Sequence, residues 1–473
     1  MNLAQTPGPR RIRSASIATL GCKLNQAESY RVQVELARAG VDMVPFGDPT
    51  DLTIINTCTV THVADQQGRQ LLRRAARISP GSYVVAMGCY AQVAPDEVRA
   101  VGGVDYVVTA RKEQLVVQLE EQGLVLGPGD DGETDPHASP DALVPLPASR
   151  VRQFVKIQDG CDDYCTYCIV PFARGHSLSR PADDIVHDVN SLVERGCREV
   201  VLTGVQIGAY GRDRYYLKGQ QLPPPGAPLA ALVRRLLDET HVARVRISSI
   251  QPQDWPEEFL ELFADRRLCR HLHLPLQSGC DITLRRMARR YTTAGFADLV
   301  DRLRGRMPDV AITADMITGF PGESEAEHIE SVSFARAMEF ADVHVFRYSP
   351  RRGTAASRMG DHVPPEVKKR RSEELREAAG AMGAAYRERF VGRRSAVLWE
   401  EELARGEDET RRGWAGLTDN YLRVELTADE DLLGATSEVI LGRLSGGVFA
   451  GTLWREARRV RREASGVRRE ADT

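Results

Sequence analysis

Short apolar runs separated by amphipathic stretches set the architecture of this chain. Between residues 12 and 126 the runs 16–20, 51–56 and 83–87 are each followed by apolar positions at helical spacing. That alternation predicts an open parallel α/β sheet. Residues 127–149 (GPGDDGETDPHASPDALVPLPAS) show neither period and read as a linker. From 150 to 378 the alternation resumes, with strands expected at 154–158, 199–203, 245–249, 271–274, 311–317 and 342–346, which makes a partial (β/α)6 barrel. A charged helical connector over 364–389 follows. Beyond it the short runs 395–399, 414–417, 421–426, 437–441 and 448–453 predict a small closed β-barrel, a third domain over 390–456, of the kind that binds single-stranded RNA. Residues 1–11 are expected to form a disordered tail and 457–473 a basic tail. The fold class is α/β, in three domains.

Composition narrows the function. At 473 residues the chain exceeds one ordinary core. It holds no apolar run of about 18 residues that could span a bilayer, and its first residues, MNLAQTPGPRRIRS, lack a secretory pattern. A cytoplasmic protein with no membrane partner is expected. Nine cysteines in such a chain point to metal or redox chemistry rather than to disulfides. The net charge of -3 conceals basic runs at Arg285, Arg286, Arg289 and Arg290, at 368–371 and in the tail after Trp454. Each run alone is commonly a solvated helix face; together they would suit a polyanion.

Cys161, Cys165 and Cys168 stand in C-x3-C-x2-C (CDDYCTYC), directly after an expected strand. Three thiolates on one loop hold three irons of a cubane cluster and leave the fourth iron open to a small molecule. A zinc site is the alternative, and His176 keeps it open. A second set, Cys22, Cys58 and Cys89, is too widely spaced for a loop motif, but each residue lies just past the carboxyl end of an expected strand: IATLGC, IINTC and VVAMGC. In an open parallel sheet those ends line one edge, where ligands collect. Gly21 and Gly88 precede two of the three and allow tight backbone turns. Cys197 and Cys269 read as packing residues, and Cys280 fits neither pattern.

The cluster loop resembles that of the radical S-adenosylmethionine superfamily. Taken with LGCKLNQAES, INTCTVT, AMGCYAQ, QDGCDDYCTYCIVPFARG, LTGVQIGAYG, RISSIQP, HLPLQSGCD, DMITGFPGES and FRYSPRRGT, the chain resembles the methylthiotransferase family from about residue 14 to 455. The motif from Gly21 to Gln26, followed by Glu28 and Ser29, is similar to the branch acting on N6-threonylcarbamoyladenosine next to the tRNA anticodon. Other branches act on isopentenyladenosine or on a ribosomal-protein aspartate. Asp163, Tyr164 and Cys280 depart from the family's usual residues.

The resemblance implies two [4Fe-4S] clusters, one on Cys161, Cys165 and Cys168 that generates a radical from S-adenosylmethionine, and an auxiliary one on Cys22, Cys58 and Cys89. It implies methylthiolation at C2 of the adenine, a carbon with no acidic proton on which acid–base catalysis has little purchase. Cofactor contacts are expected from Thr203, Gly204, Ser248, Ser249, Gln277, Ser278, Gly319, Pro321 and Gly322, because barrel chemistry sits at the carboxyl ends of strands. Arg174 and Arg347 are candidates for the cofactor carboxylate or an RNA phosphate, or for ordinary ion pairs. The last domain resembles the TRAM module, with Trp414, Tyr421 and Trp454 as candidate stacking aromatics for the tRNA anticodon arm, although any one of them is more often a core residue. An electron donor such as flavodoxin or ferredoxin, and a sulfur source, complete the expected partners. A non-catalytic iron–sulfur RNA-binding protein is the rival from another class.

Overall fold

The computed structural model describes residues 10–110, 112–127, 151–403 and 412–454. The expected basic tail and all but the first residue of the expected linker lie outside these residues. Arg10 and Arg11, which the sequence placed in a disordered tail, belong to a strand, Arg10–Ile12, paired in parallel with Leu124–Leu126. Ile12, fully buried, draws the segment into the core.

The first domain is a five-stranded parallel sheet in the order Asp42–Met43, Ser14–Thr19, Leu52–Thr57, Tyr83–Gly88, Tyr106–Val107. Its middle strand is buried at all six positions. Ile54 and Val85 face the side covered by the helix Lys23–Arg38, whereas Ile55, Val84 and Ala86 face the helix His62–Ile78. Burial on both faces is why these strands read as continuous apolar runs rather than alternating ones.

The central domain has six parallel strands in two hydrogen-bonded groups. Arg152–Lys156, Glu199–Thr203 and Arg244–Ile247 form one; His271–His273, Ala311–Thr318 and Asp342–Arg347 form the other. A bridge between Ser249 and His273 joins them into one open barrel. Val200, Leu202, Val245, Ile247, Leu272, Ile312 and Ala314 pack outward against the helices. The residues between them, Glu199, Arg246, His271, His273, Thr313 and Asp315, fall on the inner face by strand alternation. The lumen is therefore polar.

The helix Pro365–Glu388 leads to a closed barrel of five strands, Arg394–Leu403, Arg412–Thr418, Arg423–Ala428, Thr436–Ser445 and Val448–Leu453, consistent with a TRAM-like module. Trp399 and Trp414 fill its interior with Val424, Val439 and Phe449. Trp414, expected as an RNA-stacking platform, is only 1% exposed and is a core residue, because alternation along its strand turns it inward. Replacing Trp414 with alanine is expected to cost about 3–5 kcal/mol, read as a lower denaturant midpoint of unfolding.

The barrel docks on the floor of the central domain. Arg244 donates to the carbonyls of Leu417 (2.8 Å) and Ala396 (3.0 Å), and Arg246 donates to that of Asp419 (2.9 Å). Tyr421, also expected to face RNA, stacks on His271 with ring centroids 4.5 Å apart and lies 4.6 Å from the Arg246 guanidinium. Trp454 is half-buried, with Arg394 at 5.2 Å over its ring. Ala311, Ala341, Tyr386 and Phe390 share one apolar cluster with the barrel interior. Among the described residues, no helix is long and apolar enough to cross a membrane.

Candidate metal centre

Adjacent parallel strands bring Cys22, Cys58 and Cys89 to one sheet edge. Asn56 pairs with Met87 and Thr57 with Gly88, so Cys58 and Cys89, each next in sequence, begin level. Cys22 is the N-cap of the helix Lys23–Arg38 on the neighbouring strand. Gly21 has φ +100°, and a Cβ there would lie 2.7 Å from Cys58 Cβ and 3.0 Å from its Sγ. Only glycine brings the Cys22 turn so close to Cys58. Asn25 fixes the turn: its amide donates to the carbonyls of Leu20 (2.8 Å) and Thr57 (3.2 Å), and its Oδ1 lies 3.7 Å from Cys22 Sγ.

Cys161, Cys165 and Cys168 occupy the loop after the first central strand. Cys161 Sγ lies 3.3 Å from Gln206 Oε1, whose amide in turn donates to Asp163 (2.8 Å) and to buried Asp254 (3.0 Å). Arg289 donates to Cys165 Sγ at 3.2 Å and is steadied by Tyr291 at 3.1 Å and by Gln251. Burial pushes the thiols up, to about 11 for Cys58 and about 12 for Cys161 and Cys168. Cys89 is also raised by burial, with Arg174 opposing. Buried sulfurs with guanidinium donors suit an anionic inorganic body better than free thiols. Each triad offers three sulfurs and, among the described residues, no fourth thiol, which fits a cubane with one open iron. His176 is turned to Asp162 at 2.6 Å and is 85% exposed, so the zinc alternative lacks its fourth ligand.

Arg174 ties the two triads together. It ends the short helix that follows Cys168, and its Nε donates to Cys89 Sγ at 3.2 Å. The same guanidinium reaches Asn25 Oδ1 at 2.6 Å, Glu28 at 2.9 Å and Asp159 at 2.9 Å. The side chain is 2% exposed, so it is an internal ion pair rather than a contact for a phosphate. Arg347 is exposed at the end of the sixth central strand. A second tie comes from Arg351, which pairs with Asp65 at 2.8 Å and donates to Thr59 at 2.7 Å, just past Cys58. The first domain is thereby clamped across the carboxyl ends of the central strands.

Glu28, Glu113 and Asp159 converge, but Lys112, Lys156 and Arg174 sit among them, so the charges are matched and no cation is called for. Burial would raise Glu28, yet Arg174, Lys156 and Lys112 outweigh it and hold the carboxyl at about 2; Asp159 is depressed by the same cations. Because its folded carboxyl is depressed, Glu28 contributes stability that is present above the ordinary carboxylate range and lost as pH falls through that range and below it. Denaturant midpoints measured from pH 6 downward should fall steeply below pH ~4.5, and Glu28→Gln should flatten the dependence.

The expected cofactor residues do gather at strand ends, with different surroundings. Thr203 is buried at the end of its strand, and Gly204 packs against Gln158, a Cβ there lying 2.9 Å from that side chain. Ser248 Oγ is buried with no partner among the described residues, as a hydroxyl awaiting a ligand would be. Ser249 is half-buried. Gln277 holds a positive φ of 63°, and Ser278 caps Cys280 N at 3.3 Å. Gly319, Pro321 and Gly322 pack instead against side chains of the protein: a Cβ on Gly319 would collide with Lys368, and Arg286 donates to the Pro321 carbonyl at 2.9 Å. Gln206, Asp254 and Gln158 carry no signal in the sequence that marks them as site residues. Arg286, Arg289 and Arg371, counted there as basic runs, turn inward to Glu327, Cys165 and Glu323.

Comparisons with known proteins identify the family. A family model described as the radical SAM superfamily matches residues 155–335, and one described as an uncharacterised protein family, UPF0004, matches residues 14–109. The chain is 36% identical over 428 residues to the threonylcarbamoyladenosine tRNA methylthiotransferase MtaB of Bacillus subtilis, covering 89% of this chain and 92% of that protein. It is 34% identical to the protein of the same name from Thermotoga maritima, over 84% of this chain and 88% of that one. The tRNA-2-methylthio-N(6)-dimethylallyladenosine synthase of Lawsonia intracellularis is 33% identical, over 85% and 90%. With two sulfur triads clamped together and relatives that match along nearly their whole lengths, the chain belongs to the radical S-adenosylmethionine tRNA methylthiotransferase family.

Proposed function

We propose that this enzyme inserts a methylthio group at C2 of N6-threonylcarbamoyladenosine at position 37 of tRNA, with Cys161, Cys165 and Cys168 holding the radical-generating [4Fe-4S] cluster and Cys22, Cys58 and Cys89 holding the auxiliary one. The observation that carries the reading is the Arg174 bridge, which makes one side chain from the first cluster loop a hydrogen-bond donor to a sulfur of the second triad. When bound, the clusters and S-adenosylmethionine supply a 5′-deoxyadenosyl radical and a methylated sulfur, which acid–base groups cannot provide for an unactivated carbon.

What the chain supplies is placement. Asn25, Arg174 and Arg351 hold the sheet edge over the mouth of the central barrel, so that a base entering between the triads meets both reacting partners without further motion. Arg174 and Arg289 place positive charge beside the sulfurs. Buried Gln206 lies against Cys161 and is itself held by buried Asp254. Thr203, Gly204, Ser248, Ser249, Gln277 and Ser278 lie where the cofactor's amino, carboxylate and ribose groups would bind, with the unpartnered Ser248 hydroxyl the best supported. In Gly319, Pro321 and Gly322 the loop shapes the wall rather than donating to the ligand. The anticodon arm, a small electron donor of the flavodoxin or ferredoxin kind and an external sulfur source are the partners this reading needs.

Mass spectrometry of tRNA nucleosides from cells with and without the gene tests the substrate. Loss of the methylthio form of threonylcarbamoyladenosine supports the reading. Loss of an isopentenyl derivative would reassign the substrate, and unchanged nucleosides with no 5′-deoxyadenosine from the reconstituted protein would favour a non-catalytic RNA-binding role.

A further inference from the structure

The charges on the inner face of the central barrel come in matched sets. Arg246 pairs with Glu199 at 2.7 Å, and Arg152 with Glu400 at 3.3 Å. Arg244 is held by two carbonyls of the closed barrel. Asp315 lies 3.2 Å from His273 and 3.6 Å from His344, and His273 Nδ1 is 3.0 Å from Thr313 Oγ1.

Lys23 is the exception. It is the first residue of the helix Lys23–Arg38, next to Cys22, and that helix is pinned over the barrel mouth through Glu28 to Lys156 (3.0 Å) and to Arg174 (2.9 Å). The residue is half-buried, and its ammonium makes no hydrogen bond or ion pair among the described residues. The groups that act on it electrostatically are Arg246 and Arg152, which oppose its charge, and Asp315 and Glu199, which favour it. They belong to strands on both sides of the lumen, and both anions already have cationic or imidazole partners. A cation withdrawn from water and left unpaired is costly, so a chain that keeps one is set to receive an anion.

We infer that Lys23 binds the carboxylate of the threonylcarbamoyl group, making it the residue that selects a charged adenosine modification over an uncharged alkyl one. The inference rests on the substrate reading above. On the purine, C2 and the N6 substituent flank N1, so a base whose C2 faces the triads projects its substituent close beside them. Lys23, adjacent to Cys22, stands there. A threonylcarbamoyl group ends in a carboxylate that gives the ammonium a charge-assisted hydrogen bond. An isopentenyl group ends in methyls and would bury the same ammonium with nothing to accept its protons, which is how a polar site rejects an apolar analogue.

The test is equilibrium binding of the cluster-loaded enzyme to anticodon stem-loops carrying adenosine, threonylcarbamoyladenosine, its threonine methyl ester or isopentenyladenosine at position 37. The wild type should prefer the acid over the ester by on the order of ten-fold. Lys23→Met should remove that preference by weakening only the acid, and Lys23→Arg should keep it. Because Lys23 neighbours a proposed cluster ligand, iron content is measured on each variant. The ester against the wild type asks the same question with no mutation at all. Equal wild-type binding of acid and ester, or a Lys23→Met enzyme of normal iron content that still prefers the acid, overturns the inference. A wild type that favours the isopentenyl stem-loop instead overturns the substrate reading itself.

Discussion

Cys161→Ala is expected to abolish 5′-deoxyadenosine formation, whereas Cys58→Ala is expected to leave it measurable while eliminating sulfur insertion. The two residues belong to different triads, and only the loop of Cys161 is backed by the barrel whose strand ends carry the proposed cofactor contacts. Iron should fall from about eight atoms per chain to about four in either variant, if each triad holds a four-iron cubane. Anaerobic reconstitution followed by iron analysis and chromatography of the nucleoside gives both readings on one sample. Identical behaviour of the two variants would remove the division of labour.

The second large effect is expected at Arg174. Arg174→Met removes the donor to Cys89 and leaves Glu28 and Asp159 with lysine partners only. Stranding a buried charge outright costs about 3–5 kcal/mol; because Lys112 and Lys156 still pair with both carboxylates, the loss here is expected below that range. The melting temperature should drop by several degrees, and iron should be lost first from the first-domain triad. Arg174→Lys should recover part of the stability but not the contact to sulfur, since an ammonium is a point donor and cannot span Cys89, Asn25, Glu28 and Asp159 at once. Melting curves and iron analysis on the same preparations separate the two effects. A variant that melts like the wild type would remove Arg174 as the clamp.

Much of this arrangement is legible in the chain itself. Cys58 and Cys89 follow their strands without a gap, so strand prediction alone places them on one edge, and the C-x3-C-x2-C loop is a local motif. What the sequence hides is anything joined across long separations. Arg174 and Glu28 are 146 residues apart, and Arg351 and Thr59 are 292 apart; no periodicity encodes either pair. The run at 285–290 misleads for a different reason. Counting arginines ignores where the helix stops: it ends at Arg286, and the turn beyond it brings Arg289 in beside Cys165 while Arg285 and Arg290 stay exposed. The sequence leaves Trp414 open between platform and core, because an aromatic in a small barrel has two places to go, and alternation decides between them only once the strand register is known.

The junction between the closed barrel and the floor of the central domain bears on how RNA binding can be studied. Since Ala311, Ala341, Tyr386 and Phe390 complete the barrel's apolar interior and Arg244 and Arg246 spend their donors on its carbonyls, a chain cut after residue 389 would lose more than an RNA-gripping appendage. It would leave Arg244 without its two carbonyl acceptors, Arg246 with Glu199 alone, and an open apolar floor beneath the central lumen. Loss of modification in such a truncation would report a damaged enzyme, and point changes on the barrel's outer surface are the cleaner instrument.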